Sequence, residues 1–142
     1  MPYATLERLG WNDEIARSFE VHASGLEPGR VAVQHRGAWD VVTERGDVLV
    51  EITGRLRHVA DAGDLPVVGD WVGLREGVID SVLPRATKFS RKTPWTQVSE
   101  QVLVANVEIA FLVMGLDDRD FNVRRLERYL TTAWEGGATP VI

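Results

Sequence analysis

The chain has 142 residues, a formal net charge of −5, and 44% hydrophobic and 26% charged residues. This ordinary globular composition fits one domain or two small ones and excludes a chain that is disordered, collagen-like or coiled-coil throughout. It has no cysteine, which excludes disulfide scaffolds and thiolate metal sites, and its longest apolar run, Ile109 to Met114, is far shorter than the ~20 residues that span a bilayer.

The first 29 residues are predicted to contain a helix followed by a linker. Residues 5–22 favour a helix, because Asn12 can cap it and Ile15 and Phe19 lie on one face at i, i+4 spacing. The breaker sequence Glu27-Pro28-Gly29 then indicates the linker.

Residues 30–83 are predicted to form a small β domain. Apolar and polar residues alternate with the period of half-buried strands, and Arg36-Gly37, Arg45-Gly46-Asp47 and Glu76-Gly77 are hairpin signals. Five strands are expected, near 30–36, 38–44, 47–54, 69–75 and 78–83. A meander of three strands, a longer connection and a hairpin is the chain order of a five-stranded OB-fold barrel, with an SH3-like barrel as the main alternative.

Residues 84–101 are predicted to be a basic interdomain linker. The segment 84–92 carries Arg85, Lys88, Arg91 and Lys92 and no acid, whereas the rest of the chain is acidic. Such cations can neutralise RNA phosphates, and the neighbouring Phe89 and Trp95 can stack on unpaired bases. The alternative is a solvated linker whose two aromatic side chains pack into a domain interface.

Residues 102–142 are predicted to begin an α/β domain. Val102 to Val104 and Ile109 to Met114 indicate strands covered on both faces, and a helix is expected over 122–135 with Asp120 or Asn122 as its cap. Gly136-Gly137 stops that helix before another strand, which gives a β-α-β unit. Two strands and a helix cannot bury their own faces, so we expect this unit to pack on the barrel or on another chain.

The other candidate residues have ordinary structural explanations. Arg30, Arg36, Arg55 and Arg57 could line the binding face or loops of the barrel, or could be surface charge, and Arg36 at a hairpin tip is the strongest of them. The tryptophans are expected to be packing residues: Trp11, Trp39, Trp71 and Trp134. His22, His35 and His58 are too scattered for a metal site, and Asp117, Asp118 and Asp120 are expected to form a turn rather than bind a cation.

Several motifs together resemble one known family. LERLGWNDE, DLPVVGDWV, LPRATKFSRK, EQVLVANVEIAFLVMGLD and DFNVRRLERYLTTAWEGGATPVI are similar to the ribosome small subunit-dependent GTPase A family. The resemblance implies an OB domain over 30–83 that contacts ribosomal RNA and the incomplete start of a circularly permuted GTPase domain over 102–142. It also implies a cytoplasmic role in late maturation of the small ribosomal subunit, with no membrane or DNA partner expected.

The resemblance further implies GTP and Mg²⁺ in the full-length family protein and zinc in its C-terminal domain. None of these is expected to bind the 142 residues, which lack a Gly-x-x-x-x-Gly-Lys-[Ser/Thr] phosphate loop. We therefore expect no catalytic, nucleotide-binding or metal residues here and predict that the chain alone is inactive. The RNA-binding residues are predicted to be Arg85, Lys88, Arg91, Lys92, Arg36, Arg30 and Phe89. The alternatives are a non-enzymatic OB-fold module that binds single-stranded RNA or a translation component, and a truncated reading frame without independent function.

Overall fold

The computed structural model describes residues 3–60, 65–92, 100–117 and 119–142. The elements in chain order are α1 (Ala4–Arg8), α2 (Asp13–His22), β1 (Glu27–Gln34), β2 (Trp39–Thr43), β3 (Gly46–Val50), α3 (Gly54–Val59), β4 (Trp71–Arg75), β5 (Val78–Val82), β6 (Lys88–Lys92), β7 (Glu100–Ala105), β8 (Ile109–Phe111), α4 (Val123–Glu135) and β9 (Thr139–Val141). Trp95, a candidate for stacking on bases, and Asp118, expected in a turn, lie outside the described residues.

The amino-terminal segment forms two helices, whereas the sequence predicted one over 5–22. Helix α1 ends before Gly10, whose φ of +98° is left-handed and therefore suits glycine. Asn12 then starts α2 as predicted, because its side chain accepts a hydrogen bond from the Ile15 amide at 3.0 Å.

Five strands form an antiparallel sheet in the order β3-β2-β1-β4-β5, close to the predicted strands. The predicted linker Glu27-Pro28-Gly29 is instead the start of β1, where Pro28 lies opposite Gly73 of β4. Gly29 suits this position, since a Cβ there would lie 2.5 Å from Cγ1 of Val41. The β4–β5 turn has positive φ at both Glu76 and Gly77, as a type I′ two-residue hairpin requires.

The sheet is not closed into the predicted barrel. Its two edge strands, β3 and β5, do not pair along their length. They approach each other only beyond the end of β3, where Ile52 and Ile79 form an isolated parallel bridge. Two backbone hydrogen bonds support it: the Thr53 amide donates to Ile79 at 2.9 Å and the Ile79 amide donates to Glu51 at 2.8 Å.

Alternate side chains of the sheet enter two apolar clusters. One contains Val31, Trp39, Val41, Val50, Ile52, Val72, Leu74 and Ile79. The other lies between the sheet and helices α1 and α2 and contains Leu6, Trp11, Phe19, Ala23, Trp71 and Leu83. Trp11, Trp39 and Trp71 are therefore buried packing residues, as predicted.

The carboxy-terminal part contains the predicted β-α-β unit. β8 and β9 pair in parallel, and Asn122 caps the connecting helix α4 by accepting from the Arg125 amide at 3.0 Å. The prediction that 109–114 is covered on both faces is wrong, because Phe111 is 75% exposed and Val113 is 89% exposed. Among the described residues, the pairing partner of β8 is β9, and the helix of the same unit is α4. Trp134, expected to pack, is 63% exposed.

Within the described part of the chain, no helix is both long and apolar enough to cross a membrane.

Candidate nucleic-acid interface

Arg36 lies at an exposed hairpin tip. The β1–β2 turn is closed by a 2.8 Å hydrogen bond from the His35 amide to the Ala38 carbonyl, and the His35 ring contacts the Asp40 carboxylate at 2.8 Å. Among the described residues, no hydrogen bond or ion pair engages the Arg36 side chain. The structure thus places it where an approaching polyanion can reach it.

The predicted basic linker is partly a strand. Residues 88–92 form β6, which pairs antiparallel with β7. Lys88 Nζ lies 2.8 Å from Glu100 Oε2, and Arg91 Nε donates to Gln101 Oε1 at 2.9 Å. Both cationic side chains remain exposed. Lys92 ends the strand opposite Glu100.

Glu100, on the strand opposite β6, offsets part of the positive charge of β6. Lys88 and Ser90 both donate hydrogen bonds to the Glu100 carboxylate, the second at 2.5 Å. These bonds lower the pKa of Glu100 from its ordinary value of 4.5. An exposed pair of this kind is weak and open to exchange with another anion. Lys88 is therefore available to a phosphate only in competition with Glu100.

Arg85 has a structural role that its sequence position does not reveal. Its Nε and Nη2 donate to the two carboxylate oxygens of Asp70, both at 2.8 Å, and Nη2 also donates to the Leu65 carbonyl at 3.0 Å. The Asp70 side chain is fully buried and that of Arg85 is 13% exposed. The Val67 amide donates to the same carboxylate at 2.9 Å. These contacts occupy the guanidinium group inside the protein.

Arg30 is likewise engaged internally. Its Nε donates to the Gly69 carbonyl at 3.1 Å, its Nη2 to the Asn106 carbonyl at 2.9 Å, and its Nη1 to the Leu9 carbonyl. The guanidinium carbon lies 5.0 Å from the ring centroid of Trp71, a cation–π arrangement. Burial lowers the pKa of Arg30 from its ordinary value.

Phe89 packs against the end of helix α4. A Cβ at Gly136 would lie 2.3 Å from Cδ1 of Phe89, so the ring lies directly on the glycine backbone. The ring is half-buried. Of the two explanations given for this aromatic side chain, packing at an interface is the one that the structure supports.

The remaining candidates also have local explanations. Arg55 and Arg75 both donate to the Asp80 carboxylate at 3.2 Å, and their hydrogen bonds outweigh burial to lower the pKa of that acid. Asp117 accepts hydrogen bonds from the backbone of the following turn, as expected of a helix-start turn. The part of the chain that the structure describes has no group of three potential metal-binding side chains.

Sequence reasoning missed Asp70 and Asn106. Asp70 lies within the apolar stretch that leads into β4, and its Arg partner is 15 residues away. Asn106 has a left-handed φ of +54°. An asparagine between two predicted strands is a recognisable signal of a left-handed residue, because asparagine is among the residues most often found in that conformation.

A family model described as RsgA GTPase matches residues 82–142. The chain is 44% identical over 97% of its length to the Small ribosomal subunit biogenesis GTPase RsgA of Opitutus terrae. It is 39% identical over 96% of its length to the protein of the same name from Syntrophotalea carbinolica. The chain spans 42% and 41% of those two relatives.

Two solved structures share the fold. One is YloQ, described as a circularly permuted GTPase, with a TM-score of 0.60 at 20% identity over 84% of this chain and 40% of that chain. The other is YjeQ from Thermotoga maritima, with a TM-score of 0.61 at 22% identity over 80% of this chain and 39% of that chain.

Proposed function

We propose that this chain belongs to the RsgA GTPase family and is the N-terminal part of a GTPase that acts in late maturation of the small ribosomal subunit. The observation that carries this proposal is the similarity of nearly the whole chain to proteins bearing that name. GTP hydrolysis, stimulated by the subunit, is then the activity of the complete protein. Its site of action is the cytoplasm.

In this proposal the five-stranded sheet is an OB-type domain that docks on ribosomal RNA. The strand order and the parallel Ile52–Ile79 bridge support the OB topology, in which the third and fifth strands approach each other. The exposed β1–β2 hairpin tip supports docking, since loops of this kind in OB domains bind oligonucleotides.

The RNA contacts are assigned to Arg36, Lys88, Arg91 and Lys92. Arg36 and Arg91 are exposed cations on the hairpin tip and on β6, and Lys88 is exposed beside Glu100. We leave Arg30, Arg85 and Phe89 out of this assignment, because the first two are engaged by internal contacts and the third packs on Gly136.

GTP and Mg²⁺ are assigned to residues outside these 142. The chain contains no phosphate loop, so it offers neither the cradle of backbone amides for the phosphates nor the Ser or Thr hydroxyl for Mg²⁺. Zinc is likewise assigned to another part of the family protein, since this chain has no cysteine.

The activity is tested with the complete gene product. GTP turnover is measured with and without purified small ribosomal subunits, with large subunits as the control. Stimulation by the small subunit alone is the expected result. RNA binding without any turnover would favour the alternative, a non-enzymatic module that binds single-stranded RNA.

RNA docking is tested with the 142-residue chain and a single-stranded fragment of small-subunit ribosomal RNA at several salt concentrations. Four phosphate contacts predict a log–log salt slope of about −3, and Arg36→Gln or Arg91→Gln should each reduce it by about 0.7. Arg17→Gln, at an exposed position on α2, is the matched control and should leave the slope unchanged. Equal slopes in all variants would contradict the assignment.

A further inference from the structure

Four segments that are distant in sequence meet at one polar junction. They are β1 at Arg30, the turn at Gly69, the segment Ala86–Thr87 before β6, and Asn106 after β7. We define the junction by these residues. It lies between the five-stranded sheet and the unit formed by β8, α4 and β9, which we call the distal unit.

Arg30 connects three of the surrounding carbonyl groups at once. Its donors reach Leu9 at the end of α1, Gly69 in the turn before β4, and Asn106 beyond β7. The last bond spans 76 residues of sequence. The planar guanidinium group fixes the directions of these donors, which a lysine ammonium group cannot reproduce.

Asn106 uses both ends of its side chain and both backbone polar groups. Its Nδ2 donates to the Gly69 carbonyl at 3.0 Å, and its Oδ1 accepts from the Ala86 amide at 2.9 Å. Its backbone amide donates to the Thr87 carbonyl at 2.8 Å, while its carbonyl accepts from Arg30. These bonds hold a left-handed residue between β7 and β8.

The backbones at the junction are in close contact. A Cβ at Gly69 would lie 2.0 Å from the carbonyl oxygen of Ala105, so only glycine fits there, and its φ is +92°. The Ala105 amide donates to the Val68 carbonyl at 3.0 Å. The nearby apolar cluster is small, with Val67, Val102 and Ala105 as its buried members.

The distal unit continues from the junction without a broad interface to the sheet. Thr87 Oγ1 donates to the Val107 carbonyl at 2.8 Å, and the Lys88 amide donates to the Gly136 carbonyl at 3.1 Å. Within the described residues, no element of the distal unit makes an extensive contact with a strand of the five-stranded sheet. The contacts that orient the two parts are therefore a few directional hydrogen bonds together with the packing of Phe89 on Gly136.

We propose that Arg30 and Asn106 are positioning residues that fix the orientation of the five-stranded sheet relative to the distal unit. The junction is then the route by which docking of the sheet on RNA is transmitted to the GTPase domain. This second step rests on the proposed function, whereas the fixed orientation does not.

The orientation is measured in the 142-residue chain by pulsed electron spin resonance between two spin labels. The absence of native cysteine allows labels at Asp47→Cys on β3 and Glu127→Cys on α4, both exposed positions. The parent pair should give one narrow distance distribution. Asn106→Gly keeps the left-handed backbone but removes the side-chain bonds, and it should broaden that distribution.

Arg30→Lys keeps the charge and loses the planar donors, and it should broaden the distribution in the same way. Arg36→Lys is the matched control at an exposed arginine and should leave it narrow. Amide hydrogen exchange in β2 reports whether the sheet remains folded. If Asn106→Gly loses this protection, the proposal is tested by the distance distribution of Arg30→Lys, provided that β2 stays protected in that variant.

Two results would overturn the proposal: unchanged distributions in both junction variants, or loss of β2 protection in both. The second would make these residues part of the stability of the sheet itself. Transmission is tested in the complete gene product, where Arg30→Lys should lower the ratio of stimulated to basal GTP turnover by about fivefold or more. An unchanged ratio contradicts transmission, whereas absence of turnover in the parent contradicts the proposed function and leaves the spin-label result standing.

Discussion

Replacement of Arg85 by methionine distinguishes a structural cation from an RNA-binding one. Arg85 belongs to the most basic segment of the chain, yet its guanidinium group forms a two-pronged pair with Asp70 at 2.8 Å. Methionine preserves much of the side-chain length and removes the charge and the donors. The variant leaves the Asp70 carboxylate, which has no exposed surface, with only the Val67 amide as a described donor.

The expected loss of stability is large because a buried charge is left without its counter-ion. Breaking a buried ion pair from one side costs about 3–5 kcal/mol. For a chain of this size, that loss lowers the melting temperature by roughly 10–15 °C. The double variant Asp70→Ala, Arg85→Met removes both charges and should recover part of the loss.

The assay combines chemical denaturation with RNA binding below the melting temperature. Arg85→Met should lower the free energy of unfolding but leave the salt slope of the folded protein unchanged. Arg91→Met, at an exposed cation in the same basic segment, should show the opposite pattern. Normal stability with a reduced salt slope in Arg85→Met would refute the structural role that we assign to Arg85.

Three further results are expected. The Glu100 carboxyl should titrate by NMR below 4.5, so its contact with Lys88 stabilises the folded chain above pH 4.5, and this stabilisation is lost as the pH falls through the lowered pKa. Lys88→Met should raise the titration midpoint of Glu100, and an unshifted midpoint would contradict the contact. Gly136→Ala should destabilise the chain by about 1–3 kcal/mol in thermal unfolding, because its Cβ overlaps Phe89, whereas Gly54→Ala has open space and should be neutral or stabilising. A fluorescent GTP analogue should show no saturable binding to the 142-residue chain at low-micromolar concentration, and such binding would contradict the assignment of the nucleotide site elsewhere.

Local sequence signals predicted the helix caps and the strands of the five-stranded sheet, but not α3 or β6. Asn12 and Asn122 cap helices because each side chain reaches an amide three residues ahead. The Glu76-Gly77 turn is signalled by its glycine, which adopts a positive φ without steric cost. Period-2 alternation located the five strands, since neighbouring side chains of a strand point to opposite faces.

Local signals failed where a distant segment changed the outcome. The predicted linker at Pro28-Gly29 pairs with β4 as part of β1, which the breaker residues conceal. The apolar run at 109–114 indicated burial, but burial requires covering elements, and Phe111 and Val113 lack them. Whether the sheet closes likewise depends on how its edge strands meet.

The sequence by itself determined the capped helices α2 and α4, the approximate positions of the five sheet strands and the net charge of each segment, because these depend on residues close together in the chain. Tertiary structure decided which cations are free to meet a phosphate. Arg85 is paired 15 residues away and Arg30 reaches across 76, while Arg36 stays exposed. The physical reason is that charge belongs to a residue, whereas desolvation and occupied hydrogen bonds depend on which segments the fold brings together.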